Sequence, residues 1–347
     1  MNRFSAATVF PLLALGLPLA AQEHDLHLDT KVDASVWIRQ VSTQSQKIDM
    51  GIQEVETENV MDVAAKIVVT AVGEDGGVTV ECSLQRVRGK FDMPQMGEFP
   101  FDSIDAGKAE AKKPDDGFDD FGGMMPDFAA IGRAAAAVAG TKFIVKLDRY
   151  GHTESVEGTE AALEQVEQAA GPMGGQMLTG AFGEEAIGNL VESAFGERPD
   201  KPTAVGGEWA PRNKNADDRT KADIVMTLQS VSDKSFAIAG KGTIEKAADP
   251  AGGADAGDES DEAAMAREMR ENMSIENGKI TFRSVVSRED GFLVEAERET
   301  SMDVKMPGPF GGDIKMQHKS TTSTKRTTEA AAMQRDAKAD KAGDGDK

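Results

Sequence analysis

The sequence predicts an α+β fold, mainly antiparallel β, with large twisted or curved sheets built from two similar β-rich halves around a central helical module. Three observations carry this expectation. Met61, Val63, Ala65, Ile67, Val69 and Ala71 alternate with polar positions, a Gly-rich turn follows at 73–77, and Val78, Val80, Cys82 and Leu84 alternate back. That is the period-two signature of a β-hairpin. Ile187, Leu190, Val191, Ala194 and Phe195 fall instead at helical spacing, which puts them on one face of a helix. Further hairpins recur beyond Trp209, and consecutive hairpins favour antiparallel pairing over βαβ units.

The elements follow in chain order. Residues 22–31 are polar and hold two of the four histidines; 36–42, with Trp37, read as a first strand. Residues 42–58 are polar with Ile48, Met50, Ile52 and Val55 interspersed, compatible with a second, solvent-facing strand. After the 61–84 hairpin come Phe91, Met93, Phe99 and Phe101 around Pro94. Residues 105–127 change character, with seven acidic residues, six of them Asp, among glycines; such composition offers little apolar surface to offset ordering. Asp127 can cap an alanine-rich helix that Gly140 closes. Phe143, Val145 and Leu147 then alternate, residues 149–152 form a turn with Gly151 free to take a positive φ, and 153–157 return. Thr159 can cap a helix with Ala162, Leu163, Val166 and Ala170 inside. The next helix stops at Gly196, and Pro199 and Pro202 prevent it from resuming.

Gly206 and Gly207 turn the chain and set Trp209, expected as a buried anchor, at the head of the second half. Ile224, Met226 and Leu228 pair by pattern with Phe236, Ile238 and Ile244. A second acidic segment spans 247–272, with eight acidic and two basic residues and a short helix expected around 263–271. Ile280, Phe282, Ser284 and Val286 turn through 288–291 into Phe292, Val294 and Ala296, and the threonine-rich 314–328 reads as a strand exposed on one face. The expected organisation is therefore a signal peptide at 1–21, an N-terminal β-rich half at 22–158 with its insertion at 105–127, a helical module at 159–203, a C-terminal β-rich half at 204–328 with its insertion at 247–272, and a disordered tail at 329–347.

Composition sets the address and narrows the partners. A basic start (Met1, Asn2, Arg3), an apolar run at 6–19 and the small residues Ala20 and Ala21 are the parts of a secretory signal. The run is shorter than the roughly 20 residues of a membrane span, so no transmembrane segment is expected and the mature chain is expected to begin at Gln22, secreted or periplasmic. Sixty acidic against 39 basic residues give a net charge of −21, which disfavours nucleic acid as a partner. The single Cys82 lies in an apolar strand and reads as a small core residue.

Two blocks carry a family resemblance. Residues 143–151 through Val156, Glu157 and Gly158 form a strand–turn–strand unit ending in Val-Glu-Gly. Pro199 and Pro202, then Val205, Gly206 and Trp209, form a Pro-x-x-Pro, Val-Gly-x-x-Trp block downstream of helices. In that order they resemble a family of exported bacterial proteins of unknown function with two β-rich halves. The resemblance implies a fold and an export address and carries over no catalytic residue.

Chemistry-bearing motifs are few. His24 and His27, interleaved with Asp25 and Asp29, are the metal candidates: two imidazoles three apart with carboxylates can share a zinc or copper ion, and after cleavage at Ala21 His24 becomes third in the chain, the position that closes a square-planar Cu(II) or Ni(II) site. Met93, Met96, Met124, Met125, Met173 and Met177 read as core filler, and the Asp-rich 115–127 lacks the spacing of a helix–loop–helix calcium site. No nucleophile elbow or phosphate-cradling loop is present; His152 in a turn and His318 in a polar strand do not read as buried bases. The expectation is thus a protein without a catalytic site or cofactor, an exported binding or envelope component holding an apolar small molecule. The alternatives are a structural or interaction protein that meets another envelope protein through strand edges, and a metal-binding protein using His24 and His27.

Overall fold

The computed structural model describes residues 22–51, 53–93, 97–105, 128–212, 220–247, 272–307 and 313–334. Residues 1–21, expected as a signal peptide, most of both acidic insertions with their Asp cluster, and residues 335–347 lie outside the described residues. So do Met96, Met124 and Met125.

The long alternating runs do become long strands. β2 (Ser35–Asp49), β3 (Glu54–Val72) and β4 (Val78–Met93) form a meander, and β5 (Gly97–Asp102) pairs with the far end of β4. The first strand runs seven residues beyond the expected end at Ser42. Its polar continuation is held because every residue to Asp49 has a partner in β3, down to Asp49 opposite Glu54. Helix α1 (Phe128–Val138) leads to the hairpin β6 (Lys142–Leu147) and β7 (Thr153–Glu157), which docks on the near end of β4. Gly151 takes φ +89° in the turn, as its position requires. Helices α2 (Thr159–Phe182) and α3 (Glu184–Phe195) follow.

The second half repeats the meander. β10 (Thr220–Val231), β11 (Ser235–Lys246), β12 (Ser274–Ser287), β13 (Leu293–Pro307) and β14 (Asp313–Thr327) are paired in sequence, each antiparallel. Three short strands accompany them: β1 (Glu23–His24) and β8 (Thr203–Ala204) pair as a separate two-stranded sheet, and β9 (Glu208–Trp209) covers Met226 and Thr227 of β10. The halves meet through β14 and β2, in register from Lys315 opposite Asp49 to Thr327 opposite Trp37. One twelve-stranded antiparallel sheet results, ordered β7-β6-β4-β3-β2-β14-β13-β12-β11-β10-β9 with β5 beside β4.

The helices lie on one face of this sheet. The main core joins Ile38, Ala65, Ile67, Val80, Cys82, Leu84, Phe143 and Val145 of the strands to Ile131 and Ala135 of α1, Ala162 and Val166 of α2, and Ile187, Val191 and Phe195 of α3. Cys82 is fully buried, and burial pushes its thiol up to about 12, an inert core position. A second cluster joins Leu26, Met226, Leu228, Phe236, Ile238, Val286 and Leu293. Trp209 packs only partly buried against it, because β9 is an edge strand of two residues; the anchor expected at this position is half-built.

Two polar segments are better ordered than their composition suggests. Leu26 and Leu28 are buried, and the Leu28 amide donates to the Arg149 carbonyl, so residues 26–28 are strapped to the core. The tail expected to be disordered from 329 begins with a one-turn helix, α4 (Glu329–Ala332), capped by the Thr328 hydroxyl accepting from the Ala331 amide. Ala332 is buried there, and Arg86 donates to the Gln334 carbonyl.

Candidate functional site

Strand period and register together determine what the helix-covered face of the sheet presents. From Val36 and Ile38 the inward positions of β2 continue as Gln40, Ser42 and Gln44. Register carries that row across the sheet: Ser42 lies opposite Thr322, Thr322 opposite Arg298, and Arg298 opposite Phe282. The Ser42 and Thr322 hydroxyls meet at 3.1 Å, so both point to this face. An apolar row at the β3–β4 side thus grades into a hydroxyl and amide row at the β2–β14 seam.

Two adjoining spaces open between this face and the helices, sharing Gln40 and Asn189 on their walls. The larger, about 540 Å³, lies between β2–β4 and the junction of α2 with α3. Met61, Val63, Leu84, Phe91, Phe182 and Leu190 form its apolar wall, and Gln40, Ser42, Gln44 and Asn59 its polar one. The smaller, about 210 Å³, lies beneath the C-terminal end of α3 and the loop that follows, over β13 and β14.

The smaller cavity holds two partly buried groups of opposite charge. Glu197 lines it directly after the helix, with Oε1 buried and bonded to nothing. Desolvation pushes its carboxyl up to about 7, helped by the nearby Glu192 and Asp200 carboxylates and opposed by Arg298. Arg298 lines the same cavity from β13; burial lowers its guanidinium below the ordinary arginine value, and Glu197 partly offsets that. Neither side chain makes a hydrogen bond or ion pair among the described residues; they interact across the cavity.

The rim is held by a polar network. Asp148 accepts the Tyr150 and His152 amides at 2.8 and 3.0 Å, which closes the β6–β7 turn over the cavity. Arg212 spans Asp148 and Asp200, and the His152 Nε2 atom lies 3.2 Å from Asp200 Oδ1. The Glu192 carboxylate accepts the Thr153 amide at 2.6 Å. Arg198 anchors the loop from below: its guanidinium is 2% exposed and donates to the carbonyls of Leu26, His27, Phe195 and Gly291.

These residues correct part of the sequence reading. His152, set in the turn as expected but not read as buried, is 8% exposed and a member of the network. His318 is half-buried on the inward face, and burial lowers its pKa. Glu197 and Arg298 were not distinguishable among so many charges; the one usable signal was the place of Glu197 immediately after the Gly196 helix stop. Of the metal candidates, His24 lies in β1 opposite Thr203, and the exposed His27 sits with Nδ1 3.1 Å from Asp25 Oδ1. Asp25 also meets Arg149 at 3.3 Å. Among the described residues no three His, Cys, Asp or Glu side chains gather as a metal centre, and β1 holds residues 23–24 extended, whereas a square-planar amino-terminal site wraps the backbone around its ion. No described helix is long and apolar enough to cross a membrane.

Comparison with known proteins gives fold likenesses of low score. No curated protein matches the chain. Lipovitellin, solved for lipid–protein interactions, is 8% identical with a TM-score of 0.43; the likeness covers 86% of this chain, which spans only 26% of the lipovitellin chain. DynF from the dynemicin biosynthesis pathway of Micromonospora chersina is 7% identical over 94% of this chain and 96% of its own, with a TM-score of 0.21. The translocator domain of autotransporter NalP from Neisseria meningitidis is 6% identical over 85% and 90%, with a TM-score of 0.21. None of these likenesses bears on function. The family match is of another kind: it covers residues 75–293, from the β3–β4 turn through the helices and the Glu197 loop to the start of β13, and the chain belongs to the family of unknown function DUF6263.

Proposed function

We propose that this protein is a non-enzymatic, exported binding protein that holds an acyl-bearing small molecule between its sheet and α2–α3. One observation carries the reading. The 540 Å³ space has an apolar wall of Met61, Val63, Leu84, Phe91 and Leu190 facing a polar wall of Gln40, Ser42 and Gln44, the two-sided lining that suits an amphiphile. A core closed only for stability has no reason to turn glutamine side chains inward. The binding role is preferred to a catalytic one because the Ser193 hydroxyl, in the cavity with His152, is turned to the Leu190 carbonyl at 2.7 Å and presents no nucleophile to the imidazole. Export rests on the signal-like residues 1–21, and Gln22 as the first residue of protein from the envelope fraction tests it.

Ala186 lines the 540 Å³ space from α3, so Ala186→Trp fills it from a helix surface. Wild-type protein should bind a fluorescent fatty-acid probe, and the variant should lose the probe while keeping its melting temperature within a few degrees. Probe binding that is absent in the wild type, or unchanged by Ala186→Trp, defeats the reading.

A second reading has its own observation: β9 pairs with Met226 and Thr227 of β10, so the edge of β10 from Lys221 to Val225 has no strand partner among the described residues. An uncovered edge pairs readily with another strand. Concentration-dependent association in sedimentation velocity favours it; a monomer at every concentration excludes self-pairing.

A further inference from the structure

We propose that the cavity between the end of α3 and β13 takes a zwitterionic group, with an ammonium on Glu197 and a phosphate or carboxylate on Arg298. The inference deepens the binding function proposed above and rests on it for the acyl portion of the ligand alone. It starts from two partly buried groups of opposite charge on facing walls of one space. A buried charge is costly unless it is paired and hydrogen-bonded, and these two are close enough to influence each other. Yet Glu197 Oε1 is buried without a partner, and neither group makes a hydrogen bond or ion pair among the described residues. Simple salt-bridge formation is the usual resolution, and no such bridge joins the two groups here. A molecule with one charge of each sign, arranged opposite to the wall charges, satisfies both.

The surroundings favour a zwitterion over a lone cation or anion. Glu192 and Asp200 add negative potential on the Glu197 side, which suits an ammonium with several N–H donors. Thr322, opposite Arg298 in the neighbouring strand, adds a hydroxyl on the other side, and a guanidinium fork matches a phosphate or carboxylate. The shared walls with the 540 Å³ space, Gln40 and Asn189, place this polar cavity at the mouth of the apolar one. A zwitterionic lipid headgroup and a free zwitterion present the same chemistry to it.

Calorimetric titration of the mature chain separates these sources. The probes are phosphoethanolamine, its lysophospholipid (acyl-glycerophosphoethanolamine), the matching lysophosphatidylglycerol, which lacks the amine, and a free fatty acid. The lysophospholipid with the amine should bind at least about tenfold more tightly than its amine-free counterpart, the worth of a charge-assisted bond. Glu197→Gln should erase that preference, whereas Arg298→Gln should weaken both lysophospholipids alike and Arg298→Lys should recover part of that loss. Melting curves and fatty-acid binding serve as the folding control for each variant. Equal binding of all acyl probes, unaltered by Glu197→Gln, overturns the zwitterion site and leaves the acyl-binding function intact. Phosphoethanolamine binding as tightly as its lysophospholipid, and Glu197-dependent, keeps the zwitterion site and overturns the acyl portion. Binding of none of the probes overturns both.

Discussion

Arg198 donates to the Gly291 carbonyl at 2.6 Å, joining the loop after α3 to the turn between β12 and β13. The same guanidinium reaches Leu26 and His27 on the N-terminal strap and Phe195 at the end of α3, and lies 5.2 Å from the centre of the Phe236 ring. Three parts of the chain distant in sequence are thereby held by one side chain. Burial brings its pKa down to about 10, so it stays charged at neutral pH, stabilised by carbonyl dipoles and the aromatic face rather than by a carboxylate.

Replacing Arg198 should therefore cost more than the loss of one bond. Arg198→Ala strands buried carbonyls without donors and should destabilise by about 3–5 kcal/mol. Arg198→Lys keeps the charge but not the fork that reaches four carbonyls, and should recover less than half of that. Urea melts measure both, and a loss under roughly 1 kcal/mol for Arg198→Ala would show that the strap is held by Leu26 and Leu28 instead.

Gly196 carries the helix stop at φ +72° and ψ 153°, a region essentially restricted to glycine. A Cβ there would lie 2.5 Å from Val286 Cγ2. Strain and overpacking act together, so Gly196→Ala should cost about 2–5 kcal/mol. The double variant Gly196→Ala with Val286→Ala relieves only the clash. If it melts at the wild-type temperature, backbone strain is not part of the cost.

How much of this was legible follows from what period and turn chemistry encode. The hairpin of β3 and β4 and the stop of α3 at Gly196 were readable, because alternation names the face of a strand and a glycine before two prolines names a helix end. Family membership was also readable from the blocks around Gly151 and Trp209. The seam of β14 with β2 was not: alternation says which side a residue faces and nothing about which strand lies beside it, and Ser42 and Thr322 are 280 positions apart. The site was hidden for a related reason. Glu197 is one of 60 acidic residues, and only the fold shows that its carboxylate is turned inward. The strap at Leu26 and Leu28 was masked by the polar residues around them; two leucines at period two are too short a pattern to weigh.

Trp209 is held as an edge residue, partly buried against the Met226 cluster with an indole N–H that is buried and unpartnered. Trp209→Ala should cost about 2–3 kcal/mol, less than the 3–5 of a fully buried ring. Trp209→Phe removes the unsatisfied donor while keeping most of the apolar contact, so it should stay within about 1 kcal/mol of wild type. Denaturant melts followed by circular dichroism compare the two, and equal losses would mean that the N–H finds a partner in solution.

Glu197 should make the ligand-free protein less stable as pH rises through the neutral range. Its carboxyl titrates at about 7 in the fold, raised first by burial and then by Glu192 and Asp200 against the opposing Arg298, from an ordinary value of 4.5. Between those values the folded protein holds a proton that the unfolded chain has released. The stabilisation is complete below pH 4.5, declines as pH rises to 7 and is gone above it. The window corresponds to roughly 3 kcal/mol at 1.36 kcal/mol per unit. Glu197→Gln removes the titration while nearly preserving shape, so the variant should match the wild type near pH 4.5 and exceed its stability at pH 8. Contributions common to both proteins are subtracted by comparing the two. Urea melts from pH 4.5 to 8 are the measurement. Parallel curves would mean that the Glu197 carboxylate is solvated in the free protein, and would remove the electrostatic basis for an ammonium at that position.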